Sequence, residues 1–219
     1  MHTDELIKRL VADLQPVRPL RSPSERAMVW LALALPYVAF VVRDKLMMTD
    51  PLQVAADARF AVEQGATLAT ALAAAIAAFR SIIPGFDRRI LLLPLAPLGL
   101  WIASVGRGCA QDWVRLGAAG LTLRLDWDCL APATVIGIVP ALAMVAMLRK
   151  GLPPYPRVTL ALGALAVASV ANLAMQFAHW HDASIMVLAW HLGAAAVLSA
   201  LGGWLGTRVL RWRHNPRLG

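Results

Sequence analysis

The sequence predicts an all-α fold: an integral membrane bundle of six transmembrane helices, preceded by a short cytoplasmic amphipathic helix. The first observation behind this is composition, since 59% of the 219 residues are hydrophobic and only 16% are charged. Soluble domains average about 45–50% apolar and about 25% charged residues. The second observation is a series of long runs without Asp, Glu, Lys or Arg. Together they exclude a disordered chain, a disulfide-rich scaffold and a large soluble catalytic domain.

Six charge-free runs define the predicted spans. In chain order they are Ala27–Val42, Gln64–Phe79, Ile90–Val105, Leu130–Leu148, Val158–Ala178 and Ile185–Thr207. A helix needs about 20 residues to cross the hydrocarbon, so the first three runs must extend into their flanking residues. The chain then divides into an N-terminal segment (1–26), a transmembrane domain (27–207) and a basic tail (208–219).

The distribution of charge predicts the orientation. Segments 1–26, 80–89, 149–157 and 208–219 would share one side of the membrane, and they hold 15 Lys and Arg. The connecting segments on the opposite side hold only 6, while acidic residues divide 5 to 8 the other way. Basic residues concentrate on the cytoplasmic side of membrane proteins. Both termini are therefore predicted to be cytoplasmic, and topology explains the net charge of +8 without direct binding to nucleic acid.

Residues 3–14 predict the amphipathic helix. Thr3 is placed to cap it, and Asp4 and Glu5 fall in the first turn, where the helix dipole favours acids. Its apolar residues recur at helical spacing and form what we call the N-terminal stripe: Leu6, Ile7, Leu10, Val11 and Leu14. Three surfaces remain possible for this stripe: a groove on a partner protein, the lipid of the inner leaflet, or the protein's own bundle.

Both cysteines are predicted on the outer side, Cys109 shortly after the third span and Cys129 just before the fourth. Neighbouring antiparallel spans would bring the two thiols to similar depth. A disulfide could staple the loop of about 20 residues, a stabilisation of about 3 kcal/mol in the chain-entropy model. The same pair could instead sense oxidant or bind a soft metal, or the two thiols could be unrelated. The spacing does not distinguish these interpretations.

The next outer loop contains His179, His181 and Asp182, and His191 lies deeper in the sixth span. Imidazole and carboxylate groups are common metal ligands, and imidazoles add a pH-dependent element. These four residues are a candidate metal or pH-sensitive site. Histidines near a membrane interface also commonly hydrogen-bond headgroups or backbone, so the sequence predicts no firm cofactor, only transient binding of a soft or transition metal ion.

Motifs for chemistry are otherwise absent from the sequence. It contains no P-loop, no GxSxG, no HExxH and no paired carboxylates within the spans, which predicts that the protein is not an enzyme. Gly202 and Gly206 form a GxxxG pattern in the last span. Small residues at this spacing let helix backbones approach closely, and packing within the bundle is favoured over dimerisation.

At the level of the whole chain, these motifs resemble the NrsF-like six-span anti-sigma factors, negative regulators of sigma-F. The resemblance is carried by the N-terminal TDELIKRLVADLQPVRPL, by Cys109-x-x-Asp112-Trp113 with Trp127-x-Cys129, and by the C-terminal HDASIMVLAWHLGAA. It implies a bacterial inner-membrane protein that sequesters an extracytoplasmic-function sigma factor. Release would follow heavy-metal or oxidative stress sensed at Cys109 and Cys129.

Under this resemblance the N-terminal stripe becomes the candidate sigma-docking element, and membrane lipid is the other contact partner. The alternative function is a membrane redox or metal-handling protein built on the outer Cys and His residues. Oligomeric state is not predicted.

Overall fold

The computed structural model describes residues 3–12, 20–45, 57–117, 130–151, 153–178 and 188–210. Every regular element in these ranges is helical, as the predicted fold class requires. The α-helices are α1 (Thr3–Ala12), α2 (Pro23–Lys45), α3 (Ala58–Arg80), α4 (Leu95–Leu116), α5 (Leu130–Leu148), α6 (Pro156–Ala178) and α7 (Gly193–Val209). A 3₁₀ turn, Arg88–Leu92, precedes α4, and a π-helical turn, Leu188–Leu192, leads into α7.

Local side chains explain where several elements begin and end. The Asp57 carboxylate accepts a hydrogen bond from the Arg59 backbone N–H at 2.8 Å and caps α3. Asp87 does the same for the Arg89 N–H at 2.9 Å, at the start of the 3₁₀ turn. α4 ends at Gly117, whose φ of +59° favours glycine because other residues rarely adopt it.

Four helices in the described ranges are long and apolar enough to cross a membrane: Pro23–Arg43, Ala58–Arg80, Arg88–Leu116 and Pro156–Phe177. A shorter apolar helix covers Pro132–Leu148. These helices are compatible with a membrane protein. The full set of six crossings stays a prediction.

α4 differs from the third predicted span, Ile90–Val105. It continues to Leu116, so Cys109 lies within α4 rather than in a loop after it. The charge-free run ends early because Arg107 interrupts it. This side chain is exposed, and a helix accommodates charge on an exposed face.

Two contacts join helices at one end of the bundle, which we call the Arg26 end. The Arg26 guanidinium, near the start of α2, donates to the Met147 carbonyl near the end of α5. The hydroxyls of Ser81, just after α3, and Thr159, at the start of α6, are 2.7 Å apart. α2 therefore runs antiparallel to α5, and α3 runs antiparallel to α6.

Aromatic and hydroxyl contacts define the opposite end, which we call the Cys109 end because α4 carries that cysteine there. The rings of Phe60, near the start of α3, and Phe177, near the end of α6, meet edge to face with centroids 5.2 Å apart. Toward the same end, the Tyr37 hydroxyl of α2 donates to the Val135 carbonyl, near the start of α5, at 2.6 Å.

The main core is built around α6, which packs against α2, α3, α5 and α7. α3 meets this core with a face of small side chains that are fully buried: Ala71, Ala74, Ala75, Ala77 and Ala78. Trp30 of α2 is also fully buried, and its indole N–H donates to the Pro140 carbonyl of α5 at 3.0 Å. The polar tip of this large side chain is therefore satisfied inside an apolar core.

Glycines bring α7 close to α6. A Cβ at Gly202 would lie 3.0 Å from the Leu160 carbonyl oxygen, and one at Gly206 would overlap the backbone of Pro156. The prediction that this GxxxG pattern packs within the bundle is confirmed.

α4 is the least buried of the long helices. Only 17% of its most apolar stretch is buried, against 61% for α6. It packs on α3 and on the π-helical turn through a small separate cluster of three buried residues, Ala66, Trp101 and Val105. The helix that carries Cys109 thus lies at the side of the main core.

Candidate functional site

Cys109 is a half-buried thiol near the end of α4. On its apolar side it packs against the small cluster that contains Trp101. On its polar side it interacts electrostatically with Asp112 of the same helix and with Arg59 and Glu63 of α3. The thiol therefore lies at the contact between α4 and α3.

An ion pair on α3 forms the polar wall of this site. The Arg59 Nε donates to the Glu63 Oε1 at 2.9 Å, across one helical turn. The Glu63 side chain is 10% exposed and that of Arg59 is 40% exposed. A carboxylate so deeply buried needs a partner. Arg59 supplies one, and the Asp57 cap fixes the helical turn on which Arg59 sits.

α4 packs against this ion pair through small residues. The Ser104 hydroxyl donates to the Glu63 Oε1 at 3.3 Å. One turn later, the Arg59 guanidinium lies directly on Gly108, where a Cβ would overlap it. Glycine at this position lets a charged side chain pass between two helices, immediately beside Cys109.

The π-helical turn Leu188–Leu192 completes this region. Leu188 and Leu192 pack against the same small cluster as Cys109. Such turns are rare and often occur at functional sites. His191 belongs to this turn by its backbone, but its side chain lies outside the described part of the structure.

The other residues predicted for the outer site, Cys129, His179, His181 and Asp182, lie outside the described residues. The pairing of Cys109 with Cys129 and the metal or pH-sensitive histidine site therefore stay predictions. Within the described ranges, no group of three or more His, Cys, Asp or Glu side chains could hold a metal ion.

A second candidate region is the N-terminal stripe on α1. Leu6, Ile7 and Val11 are 39%, 52% and 58% exposed. The side chain of Leu10 and all of Leu14 lie outside the described part of the chain. Three neighbouring apolar side chains thus remain available to a surface outside the described bundle.

Arg26 links the start of α2, where the N-terminal segment joins the bundle, to the core. Its side chain is buried, and its guanidinium lies over the Phe79 ring of α3, 4.6 Å from the centroid. The same group donates to the Met147 carbonyl near the end of α5, where the helix dipole also favours a positive charge. One arginine therefore holds three helices together at the Arg26 end.

Sequence reasoning missed Arg26 and the Arg59–Glu63 pair as site residues. The pair has a sequence signal, since opposite charges four residues apart on a helix interact. The contact with Gly108 has none, because it depends on how α3 and α4 pack.

We predict that enlarging Gly108 loosens α4. Gly108→Leu should displace the Arg59 guanidinium and weaken the contact between α4 and α3, because overpacking of this kind costs about 1–3 kcal/mol. In a Cys129→Ser background, the rate at which a maleimide alkylates Cys109 should rise about fivefold or more.

The matched control is Gly106→Leu, on the same helix, since a Cβ at Gly106 meets nothing within 4 Å. Its alkylation rate should equal that of the parent. Equal rates in the two glycine variants would show that the Arg59 contact does not hold α4 in place.

Comparison with known proteins was made for the full chain. A family model described as NrsF, negative regulator of sigma F, matches residues 10–212. The searches of curated proteins and of solved structures return no match.

Proposed function

The chain belongs to the NrsF family, negative regulators of sigma F, and on this basis we propose that it is an anti-sigma factor of the bacterial inner membrane. It acts by binding and not by catalysis. It sequesters an extracytoplasmic-function sigma factor and releases it under heavy-metal or oxidative stress. The family description supports a sigma-factor partner.

The membrane arrangement we propose has six crossings. α5 and the helix formed by the π-helical turn with α7 join the four long apolar helices. The Arg26 end faces the cytoplasm, since 15 of the 21 Lys and Arg belong to segments on that side. The Cys109 end faces the periplasm. Apolar side chains that point away from the bundle, such as Leu33, Phe40 and Leu142, then face lipid.

The exposed stripe of α1 is the observation that carries the docking proposal. An amphipathic helix can place its apolar face into a groove on a partner, and Ile7 and Val11 are more than half exposed. Membrane-surface helices are typically rich in Lys and Arg on the polar face, whereas the polar residues of α1 mix both signs, with Asp4 and Glu5 in the first turn and Lys8 and Arg9 in the next. This favours the sigma factor over the inner leaflet as the occupant.

Arg26 is proposed to couple this helix to the bundle. It is the fourth residue of α2 and the last residue of the N-terminal segment, which carries α1. Its contacts with Phe79 and Met147 depend on the relative positions of α3 and α5. A shift of these helices would therefore change where the N-terminal segment is held.

The sensing step is assigned to Cys109 and Cys129. A disulfide or a metal–thiolate bond at Cys109 would alter the contact of α4 with Arg59 and Glu63. A signal shifts a two-state equilibrium only by its differential affinity for the two states. About 5.5 kcal/mol takes a population from 1:99 to 99:1, a magnitude that covalent or metal bonding at two thiols can supply.

We predict that Ile7→Asp weakens capture of the sigma factor about tenfold or more, because burying an aliphatic side chain contributes about 1.5–3 kcal/mol. The measurement is quantitative mass spectrometry of the sigma factor that co-purifies with the full-length protein from mildly solubilised membranes.

The matched control is Ala12→Asp, on the opposite face of α1, which should retain normal capture. If Ile7→Asp also retains capture, the docking helix is wrongly assigned. If Ile7→Asp instead releases α1 from vesicles of anionic lipid and leaves sigma capture intact, then the stripe binds the membrane and not the sigma factor.

We predict that the double variant Cys109→Ser, Cys129→Ser still represses the sigma-dependent promoter at rest and no longer responds to Zn²⁺ or to the thiol oxidant diamide. Serine removes both disulfide and thiolate chemistry while nearly preserving side-chain volume. Normal induction in the double variant would exclude the cysteines as the sensor. Loss of resting repression would show that they serve folding or docking instead.

Bound metal in the purified protein, without a co-purifying sigma factor, would favour a metal-handling protein.

A further inference from the structure

A line of polar side chains runs along the interface of α3 and α6. We call it the polar seam, and its members are Gln64, Thr67 and Thr70 on α3 and Ser169, Asn172 and Gln176 on α6. Spacings of three and four residues place each set on one face of its helix. The two faces meet near the Cys109 end, where the Gln64 Nε2 donates to the Gln176 Oε1 at 2.6 Å.

The hydroxyl groups of the seam donate within their own helices. Those of Thr67, Thr70 and Ser169 each bond the carbonyl oxygen four residues earlier, at 2.7, 2.8 and 2.9 Å. A hydroxyl oxygen retains lone pairs after donating its hydrogen. These three side chains therefore present acceptors and no free donor to their surroundings.

Four buried polar atoms in and beside the seam have no hydrogen-bond partner among the described protein groups. Two are acceptors, Gln64 Oε1 and Asn172 Oδ1, and two are donors, Gln176 Nε2 and Trp101 Nε1. Trp101 belongs to α4 and is only 3% exposed. Buried polar atoms in native proteins are almost always paired, with protein or with ordered water.

A small, only partly enclosed cavity lies where the seam meets α4. Its polar lining comes from Thr67, Thr70, Trp101, Ser169 and Asn172, and the other described lining residues are apolar. It is large enough for about one water molecule. No described lining side chain is charged, so neither a metal ion nor an inorganic anion would find a counter-charge there.

We propose that this cavity is a water site, in which water accepts from the Trp101 indole N–H on α4 and donates to Asn172 Oδ1 on α6. Water fits because it both donates and accepts, and the described lining offers a buried unpaired donor, the Trp101 N–H, together with several acceptors. The site joins α4 to the main core through a replaceable molecule. It stands independently of the proposed function.

The test is a water–protein nuclear Overhauser experiment on the full-length protein in lipid nanodiscs, with ¹⁵N-labelled tryptophan. The chain has 8 tryptophans, so W101F and W30F assign the two indole signals that matter. The Trp101 Nε1–H should show a cross-peak with water. The Trp30 Nε1–H, which donates to the Pro140 carbonyl at 3.0 Å in the main core, should show none.

Asn172→Leu supplies the second variant, since leucine has a similar volume and accepts no hydrogen bond. It should abolish the Trp101–water cross-peak and leave the Trp30 indole signal unshifted. Absence of the cross-peak in the wild-type protein would overturn the proposal, and so would equal water cross-peaks at Trp30 and Trp101. An unchanged Trp101 cross-peak in Asn172→Leu would overturn the bridging arrangement.

Discussion

Close packing of small side chains around α6 is the constraint on which the rest of the structure depends. Lipid is as apolar as the side chains themselves, so helices in a membrane associate through van der Waals contact more than through the hydrophobic effect. The alanines of α3 and the glycines of α7 bring both backbones close to α6. Within this packing, the indole N–H of Trp30 donates its hydrogen bond to the Pro140 backbone carbonyl.

α4 is held by a different kind of contact, and the proposed mechanism depends on this difference. Its buried apolar cluster is small, and polar contacts complete its attachment: the Arg59 side chain on Gly108 and the Ser104 hydroxyl on Glu63. Such contacts change with charge and with the chemistry of a neighbouring thiol more than alanine packing does. In the proposed mechanism a signal at Cys109 would therefore move α4 first, and its effect would reach Arg26 through α3, which contacts both.

Much of the helical fold could be predicted from charge-free runs, because lipid excludes charge from spans. The run at Leu130–Leu148 coincides with α5. The prediction was wrong about the end of α4, because the exposed Arg107 ends the charge-free run and the helix continues to Leu116. Tertiary contacts such as Arg59 with Gly108 leave no mark in sequence periodicity. The pairing of Cys109 with Cys129 depends on relative positions that spacing alone does not determine.

In the proposed mechanism a signal at Cys109 moves α4 more than it moves α3 and α6, and amide hydrogen exchange of the full-length protein in nanodiscs measures this difference. Exchange would be compared by mass spectrometry before and after treatment with Zn²⁺ or diamide. We expect peptides from α4 and from Leu188–Leu192 to change their exchange rates most, and those from the interior of α3 and α6 to change little. A change spread equally over α3, α4 and α6, or no change in α4, would rule this mechanism out.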